Sequence, residues 1–311
     1  MLWVLAAVVR GTGDTLTPAR AIMASGVAQI VMSGALTLGW GPIPAIGIAG
    51  PATAMVICQG LASVYLALHL IKGRAVVTLR VQRLRWTPIA DIMRVGGLGL
   101  INSSAIAITV VVVTGLVGRY GTEALAGYGL GSRLELMLIP FAFGIGGALT
   151  VAVGTNFGAE QYARARKIAW VGSGVAFAII GLVGVVVAVA PGLWLNLFTA
   201  DPKAYEYGAL YLVVAAPLYG LFGVGQTLFF ASQGTGRMGL PVLAGFTRLL
   251  VVAGLGGLAV YLSWSLTAVF IAVAIGFGVF GLGVALCMFG PGWCPERALA
   301  RNKLARNKRS T

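Results

Sequence analysis

The chain has 311 residues, of which 59% are hydrophobic, 10% are charged and 46 are glycine, and its formal net charge is +14. So large an apolar fraction excludes a water-soluble domain, and the lack of strict apolar and polar alternation excludes a membrane β-barrel. The charge alone would suit a nucleic-acid partner, but groove binding needs a basic face on a folded soluble module, and the positions of the cations exclude one.

Long apolar runs predict an all-α polytopic membrane protein, because a helix needs about 20 mostly apolar residues to cross a hydrocarbon core of about 30 Å. The stretch Met1–Val9 is a partial helix, too short to span, and it lacks the basic region and the cleavage site of a signal peptide. Eight full transmembrane helices follow, at residues 18–39, 44–71, 88–118, 124–155, 167–198, 204–231, 238–262 and 265–289.

Lysine and arginine are concentrated on one side of these predicted spans. Because successive spans cross the membrane in opposite directions, their connectors lie on alternate sides. This assignment places 18 of the 22 lysine and arginine residues on one side and only Arg119 and Lys203 on the other. This asymmetry follows the positive-inside rule, so we expect the basic side and the C-terminus to be cytoplasmic. The basic tail at residues 291–311 is also expected to touch anionic lipid headgroups.

Once the cations assigned to the connectors are set aside, two cationic residues remain inside the spans, Arg133 and Arg248, with Glu135 beside the first. A charge at membrane depth costs on the order of 3 kcal/mol or more, so each should face a cavity or a partner. Arg133 and Glu135 are interpreted as lying near the start of their span, where snorkelling to the interface explains them as well as a function does. Arg248 lies about 15 Å into its helix, near mid-membrane, and is predicted to face inward.

The residues with metal-binding or redox chemistry form no pattern. Cys58, Cys287 and Cys294 have neither metal-ligand spacing nor the even number of a disulfide framework, so they are interpreted as small apolar or interfacial residues. His69 stands alone at the end of an apolar run, where a structural or headgroup-level role is favoured over a ligand role. No metal site is predicted.

A short motif occurs twice, as "RGTGDTLTP" near the start of the chain and as "SQGTGRMGLP" much later. In both copies, glycines are expected to end one helix and form a turn, and proline to begin the next helix where no amide donor is needed. The paired positions, each separated by 223 residues, are Gly11 and Gly234, Gly13 and Gly236, and Pro18 and Pro241. Such repeats build many secondary transporters; if the halves match, about 136 residues are expected to be missing from the first half.

A longer block adds to the two turn motifs. It reads "ALAGYGLGSRLELMLIPFAFGIGGALTVAVGTNFGAEQYARARK" at residues 124–167, with Pro140 inside the predicted helix. With these three segments the sequence resembles the multidrug and toxic compound extrusion (MATE) family of bacterial transporters, over nearly all of its length. The resemblance implies a two-lobe fold of six plus six helices, of which this chain is similar to the end of helix four through helix twelve.

The resemblance also implies a division of the chain and a function. Residues 1–86 are a remnant of the N-terminal lobe with a cytoplasmic linker, residues 87–290 are the C-terminal lobe with helices seven to twelve, and residues 291–311 are a basic cytoplasmic tail. Family members exchange Na⁺ or H⁺ for an outgoing, often cationic and aromatic, compound by alternating access. We therefore expect a multi-pass protein of the bacterial cytoplasmic membrane that exports drugs or toxic organic compounds.

Cofactors and partners follow from the same resemblance. No cofactor is expected beside the coupling ion, and the expected partners are membrane lipids and a small organic cation, with no nucleic acid. Because the chain is interpreted as N-terminally truncated, it is expected to be inactive alone. The missing N-terminal portion, as a separate chain, is then a further expected partner.

The coupling carboxylates are where the sequence departs from the family. The most general one is an aspartate on the first helix, which this chain lacks, and the regions matching helices seven and ten, residues 100–113 and 219–230, contain no acid. A cation site needs oxygen ligands or a titratable group, and within these spans only Glu135 supplies one. The candidate substrate or ion path residues are Asn102, Ser103, Ser104, Tyr128, Arg133, Glu135, Gln226 and Arg248, with helix-to-helix hydrogen bonding as the alternative for the hydroxyls and amides.

Aromatic and proline residues give two further predictions. A path for a cationic compound is expected to be lined by Tyr128, Met137, Phe141, Phe143 and Tyr219, with packing or lipid contact as the alternative. Pro140 and Pro217 each lie inside a predicted span and are expected to kink it, as a hinge or as a static bend.

Two other functions stay open. One is export of a lipid or polysaccharide by a member of the wider superfamily. A cavity lined by basic residues that suit phosphate groups would favour it, and only Arg248 is such a residue. The other is a non-transporting membrane subunit or relic. An enzyme is not expected, because the sequence holds no nucleophile and base pair, metal-ligand spacing or phosphate loop.

Overall fold

The computed structural model describes residues 1–40, 45–72, 86–290 and 293, without the side chains of residues 87, 88, 91 and 94. The chain forms two compact units, Met1–Arg85 and Trp86–Thr311. Residues 73–85, within the region of the predicted linker, and residues 291, 292 and 294–311 of the predicted basic tail, Cys294 included, lie outside the described residues.

The first unit contains three helices within its described residues: α1 (Leu2–Gly11), α2 (Leu16–Leu38) and α3 (Ala49–Ile71). Its core includes Leu5 and Val9 of α1 together with Leu66 and Leu70 of α3. The ten residues of α1 are too few to cross a membrane, in agreement with the sequence analysis. The helices α2 and α3 have 23 residues each and are apolar enough to do so.

The second unit contains eight helices within its described residues. They are α4 (Trp86–Gly118), α5 (Thr122–Gly158), α6 (Tyr162–Val189), α7 (Gly192–Leu195), α8 (Pro202–Ala215), α9 (Tyr219–Thr235), α10 (Gly239–Tyr261) and α11 (Leu266–Cys287). By length and composition, the described part of the chain has eight candidate membrane spans, with α8 and α9 counted as one. The predicted all-α polytopic membrane fold is therefore confirmed.

Two of the predicted spans are less regular than the sequence suggests. The span expected at residues 167–198 ends at Val189, because Pro191 stops the helix and a four-residue helix, α7, follows it. The span expected at residues 204–231 consists of α8 and α9, joined by a 3-10 turn at Ala216–Leu218. Pro217 lies in that turn, where its missing amide donor interrupts the helical hydrogen bonds. Pro140, by contrast, lies inside α5, and the helix continues past it.

The repeated motif forms the same structure in both units. The helix that follows it begins at Leu16 and ends at Leu38 in the first unit, and α10 begins at Gly239 and ends at Tyr261, 223 residues later at both ends. Pro18 and Pro241 are each the third residue of their helix, where the amide has no helical acceptor. The turn glycines are left-handed in both copies, with φ of +94° at Gly13 and +68° at Gly236.

The two turns differ in charge, since Asp14 occupies the position that Arg237 holds in the second copy. Oδ1 of Asp14 accepts hydrogen bonds from the amides of Leu16 and Thr17, at 3.1 and 3.0 Å, and so caps α2. Hydrogen bonding from Thr17 lowers the pKa of the Asp14 carboxyl below its usual value. His69, isolated in the sequence, has its Nε2 3.8 Å from Oδ2 of this aspartate, which favours a structural role.

Glycines on α5 set how closely its neighbours approach. A Cβ atom at Gly127 would lie 2.6 Å from the carbonyl oxygen of Ala204 and 2.7 Å from the amide of Gly208, both backbone atoms of α8. Small residues of this kind let membrane helices pack backbone against backbone. The close contact between α5 and α8 matters below, because both helices carry residues of the candidate site.

We predict opposite effects for two neighbouring glycine substitutions on α5. Gly127→Ala should lower the free energy of unfolding by about 1–3 kcal/mol, because its methyl group would overlap the backbone of α8. Gly129→Ala is the matched control, since a Cβ there meets nothing within 4 Å, and it should be neutral or stabilising by up to about 1 kcal/mol. Thermal unfolding of the 311-residue chain in detergent measures both; equal effects would mean that α5 and α8 are not in close contact.

Candidate functional site

An ion pair lies in the interior of the second unit. Nη2 of Arg248, on α10, is 3.6 Å from Oε1 of Glu135, on α5, and the two side chains are only 4% and 13% exposed. The sequence prediction that Arg248 faces inward agrees with this position. Two charges removed from water in this way require each other, because an unpaired charge inside a membrane protein is costly.

The position of Glu135 differs from the sequence interpretation. It lies 13 residues after Thr122, the first residue of α5, which corresponds to about 20 Å along the helix axis. It is therefore deep in the helix and paired, not near the start and snorkelling. The predicted span began at residue 124, only two residues after the observed start of α5, so the shallow placement came from treating a position 11 residues into that span as interfacial. Arg133, two residues earlier, is exposed and lies on another face of the helix.

Tyr211 completes the surroundings of the carboxylate. Its hydroxyl donates a hydrogen bond to Oε2 of Glu135 at 3.1 Å, so both carboxylate oxygens have a partner. Gly131 makes this possible, because a Cβ atom at that position would overlap the Tyr211 ring. The ring of Tyr128 meets that of Tyr211 edge-on, with centroids 5.2 Å apart, and holds it in place. Tyr128 is thus part of the site, as the sequence analysis expected, but as packing.

Three phenylalanines surround the guanidinium of Arg248. Its Cζ atom lies 5.0, 4.9 and 6.0 Å from the ring centroids of Phe222, Phe277 and Phe280, which belong to α9 and α11. Ring faces attract a cation, most strongly where water is excluded. The rings stabilise the charge without giving its N–H groups an acceptor, and Nε and Nη1 have no hydrogen-bond partner among the described residues.

Two amide side chains are buried in the same unit. Asn102 on α4 and Gln226 on α9 are each 3% exposed, and their side-chain carbonyl oxygens accept no hydrogen bond from the described residues. Ser103 and Ser104, predicted as candidates together with Asn102, are exposed instead. The three residues are consecutive on a helix, so they cannot share one face.

The predicted aromatic path is not formed as one surface. Tyr128 and Tyr219 are buried in the core, whereas Met137, Phe141 and Phe143 are 58%, 58% and 49% exposed. The helical period explains the separation, because positions 128 and 137 differ by two and a half turns and therefore point in different directions. Phe143 instead packs edge-on against Phe230, with centroids 5.0 Å apart.

The turn glycines of the second copy also have a packing role. A Cβ atom at Gly234 would overlap the carbonyl oxygen of Thr150 on α5, so α9 and α5 approach closely there. The hydroxyl of Thr150 donates a hydrogen bond to the carbonyl of Phe230 at 2.8 Å. The motif that marks the repeat thus joins the two helices that carry Glu135 and the Phe222 ring.

The sequence analysis missed Tyr211, Phe222, Phe277 and Phe280. Each lies in an apolar run with many similar residues, and none has a charge or a motif that singles it out. Only the packing of α5, α8, α9, α10 and α11 brings them together. The one usable signal is that a buried Arg248 must have aromatic or acidic neighbours.

Comparison with known proteins places this site in a transporter family. A model of the MatE family matches residues 99–258, which is half of the chain and includes both Glu135 and Arg248. The chain belongs to the MATE family of efflux transporters. It is 28% identical over 221 residues to an FAD transporter of Shewanella oneidensis, covering 69% of this chain and 48% of that protein.

Other MATE proteins give the same result. Over 248 residues the chain is 25% identical to a probable multidrug resistance protein NorM of Thermotoga maritima, covering 79% of this chain and 53% of that one. The solved structure of the Vibrio cholerae MATE transporter VcmN in the bent form has a TM-score of 0.80 at 20% identity, covering 97% of this chain and 67% of that one. The chain spans about half the length of the curated relatives it matches.

Of the two charged side chains in the site of this MATE protein, only Glu135 can become neutral. A carboxyl can take up a proton, whereas a guanidinium stays charged in proteins. Protonation of Glu135 would therefore leave Arg248 as an unpaired cation inside the bundle. The consequences of removing each partner should differ for the same reason.

We predict an asymmetric response to removal of the two charges. Glu135→Gln should lower the free energy of unfolding by about 3 kcal/mol, because it leaves a guanidinium that cannot lose its proton. Arg248→Met should cost less, since Glu135 can become neutral and methionine can fill the phenylalanine cage. The double variant should recover most of the loss. A larger effect of Arg248→Met in detergent unfolding experiments would contradict this assignment.

We predict a difference between two buried tyrosines. Tyr211→Phe removes the hydrogen bond to Glu135 and should lower the free energy of unfolding by about 1 kcal/mol or more. Tyr219→Phe is the comparison on the neighbouring helix, because its hydroxyl interacts with that of Tyr211 but makes no hydrogen bond to Glu135, and it should cost less than Tyr211→Phe. Unfolding in detergent measures both variants. Equal losses in the free energy of unfolding would mean that the hydrogen bond to Glu135 does not contribute to stability.

Proposed function

We propose that this chain forms the C-terminal lobe and part of the N-terminal lobe of an ion-coupled antiporter that exports drugs or other toxic organic compounds across the bacterial cytoplasmic membrane. Membership of the MATE family supports export. The observation that supports coupling is the buried Glu135 carboxylate, held by Arg248 and Tyr211 deep within the second unit. A group of this kind binds a coupling ion in one state and releases it in the other.

Of the two coupling ions, the geometry favours H⁺ over Na⁺. A sodium ion at Glu135 would lie a few ångströms from the Arg248 guanidinium, and the two positive charges would repel each other strongly in a medium of low dielectric constant. A proton neutralises the carboxylate and adds no second cation. Within the described residues, no group of three His, Cys, Asp or Glu side chains is placed to hold a metal ion.

We propose that the basic side of the bundle is cytoplasmic. In the described part of the second unit this side carries Arg164, Arg166 and Lys167 at the start of α6 and Arg237 in the α9–α10 turn. The positive-inside rule places such clusters in the cytoplasm, with contacts to anionic lipid headgroups. Glu135 would then be reached by protons from either side as the two lobes alternate.

We further propose that the 311 residues do not transport alone. The relatives are about twice as long, and alternating access needs two lobes around a midplane cavity. A polypeptide carrying the remaining helices of the N-terminal lobe, covalently attached or separate, is the partner that would complete the transporter. A non-transporting membrane subunit is the competing interpretation.

A second candidate substrate class is an anionic, phosphate-bearing compound. It is favoured by one observation, the match to a relative named as an FAD transporter, since FAD carries phosphate groups. The structure gives it little support in the described residues, because Arg248 is paired with Glu135 and enclosed by aromatic rings. Competition between a cationic dye and FAD in the assay below separates the two classes.

Transport by a completed protein tests the proposal. We predict that the chain, extended at its N-terminus by the first-lobe helices of the Thermotoga maritima NorM, takes up ethidium into inside-out vesicles when a pH gradient is imposed. Uptake should fall at least tenfold in Glu135→Gln. The matched control is Glu123→Gln on the same helix, a partly exposed residue whose Oε1 is 4.0 Å from Nζ of Lys203, and uptake by this variant should be unchanged.

Three results would contradict the proposal. Gradient-driven uptake by the chain alone would remove the need for a second polypeptide. A correctly folded fusion whose dye uptake responds to neither a pH gradient nor a Na⁺ gradient would favour the interpretation as a non-transporting subunit. Sodium dependence without proton dependence would overturn the choice of H⁺.

A further inference from the structure

Buried polar atoms without partners are concentrated near Arg248. In the described part of the second unit these are two donors, Nε and Nη1 of Arg248, two acceptors, Oδ1 of Asn102 and Oε1 of Gln226, and the hydroxyl of Tyr219. Asn102, Gln226 and Arg248 are only 3–4% exposed, and Tyr219 is fully buried. Buried polar groups are almost always hydrogen-bonded, so a set of unpaired donors and a set of unpaired acceptors in one small bundle requires an explanation.

Gln226 lies at the same depth as Arg248. It is nine residues before Thr235, the end of α9, and Arg248 is nine residues after Gly239, the start of α10, so each is about 14 Å from the turn that joins the helices. Gln226 also follows Phe222 by four residues on α9, which places both on one face of that helix. The ring of Phe222 already covers the guanidinium.

Asn102 lies one helical turn away along α10. A Cβ atom at Gly245 would overlap Oδ1 of Asn102, so this oxygen rests against the backbone of Gly245. Gly245 precedes Arg248 by three residues and shares its face of the helix. The same Cβ would lie 3.8 Å from the Phe280 ring, which also borders the Arg248 guanidinium. The ring of Phe280 therefore borders both the Arg248 guanidinium and the place where the Asn102 oxygen meets Gly245.

We propose that Arg248 is a two-position switch, paired with Glu135 when that carboxylate is charged and received by the side-chain oxygens of Asn102 and Gln226 when it is neutral. The inference rests on the proposed protonation of Glu135. It assigns Asn102 and Gln226 as positioning residues of the coupling step, which act through Arg248 and need not touch the transported compound.

The charge of Arg248 makes the second position necessary. Among the described residues, the titratable or charged groups that face Glu135 are Arg248 from α10, Tyr211 from α8, Tyr219 from α9 and Tyr128 from α5 itself. None of the tyrosines can replace the carboxylate as a counter-charge for a guanidinium. Once Glu135 is neutral, carbonyl oxygens are the strongest acceptors left, and hydrogen bonds with one charged partner are the strong ones.

Small residues border the path of this movement. Gly276 on α11 faces the stem of Arg248, where a Cβ atom would lie 3.5 Å from its Cγ, and Gly245 lies against Oδ1 of Asn102. A shift of the guanidinium toward the two amide oxygens would change the contacts among α4, α9, α10 and α11. Protonation of one carboxylate would in this way alter the packing of helices that do not carry it.

A double-mutant cycle on thermal unfolding of the 311-residue chain in detergent tests the switch. Asn102→Leu should lower the melting temperature slightly in the parent chain and by about 5 °C more in the Glu135→Gln background, where Arg248 depends on the amide oxygens. Gln226→Leu should behave alike. The matched control is Thr109→Val on α4, a buried residue bonded to its own helix, whose effect should be the same in both backgrounds.

A conservative variant separates positioning from simple packing. Asn102→Asp keeps the shape of the side chain and supplies a stronger acceptor, so in the Glu135→Gln background it should raise the melting temperature above that of the Asn102 parent. If the Asn102 amide only fills space, Asn102→Asp should instead lower the melting temperature, because it buries a carboxyl group without a partner. If Glu135→Gln does not fold, acidification of the parent chain gives the neutral state, and the Asn102→Leu loss should grow as pH falls.

Equal effects of Asn102→Leu in both backgrounds, or a lower melting temperature for Asn102→Asp than for Asn102→Leu with Glu135→Gln, would overturn the inference. These measurements need no gradient and no transported compound. A failure of the vesicle assay would therefore not contradict the proposed switch of Arg248. A double-mutant cycle without coupling would contradict the switch but not proton-coupled export.

Discussion

The second unit is organised around the requirement that two opposite charges inside an apolar bundle stay paired. Glu135 and Arg248 come from helices that are far apart in the chain, and each brings its own set of neighbours, a tyrosine hydroxyl for the carboxylate and three phenylalanine rings for the guanidinium. A buried ion pair is weak evidence for stability, because desolvation offsets much of its attraction. Its presence in a mostly apolar core is what the proposed change of charge at Glu135 would explain.

Glycine allows the helices to meet at this pair. Gly131 admits the Tyr211 ring, Gly276 faces the arginine stem, and Gly245 leaves the space for the Asn102 amide. In lipid, helix association depends on such close packing, since no hydrophobic effect drives helices together there. The high glycine content of the sequence is therefore part of the site and not only a feature of the fold.

The internal repeat gives the two units the same framework and different chemistry. Helices α2 and α10 begin and end at equivalent positions, and each follows a turn with a left-handed glycine. Where the second copy has Arg248, the first has Ser25, and where the second copy has Arg237, the first has Asp14. The framework is shared, but the buried cation belongs to one half only.

Much of the fold could be predicted from the sequence, because hydropathy and the positions of glycine and proline are local signals. The lengths of the apolar runs and the rise per residue of a helix were enough to predict eight spans and the inward position of Arg248. The repeated glycine and proline pattern was enough to predict the turn. The partner of Arg248 could not be predicted in the same way, since the ion pair with Glu135 depends on a contact between α5 and α10 that no single apolar run contains. The aromatic cage and Tyr211 depend on contacts between separate helices, and one apolar run does not distinguish its buried aromatic residues from those that face lipid.

The claim on which this account depends is that Glu135 takes up and releases a proton while the bundle stays folded. Infrared difference spectroscopy of the purified chain during acidification measures it directly, through the carbonyl stretch of a protonated carboxyl. We expect such a band to appear reversibly, to vanish in Glu135→Gln and to shift in Tyr211→Phe, which removes the hydrogen bond to the carboxyl. A folded chain that shows no band assignable to Glu135 down to the pH at which it unfolds would contradict the account.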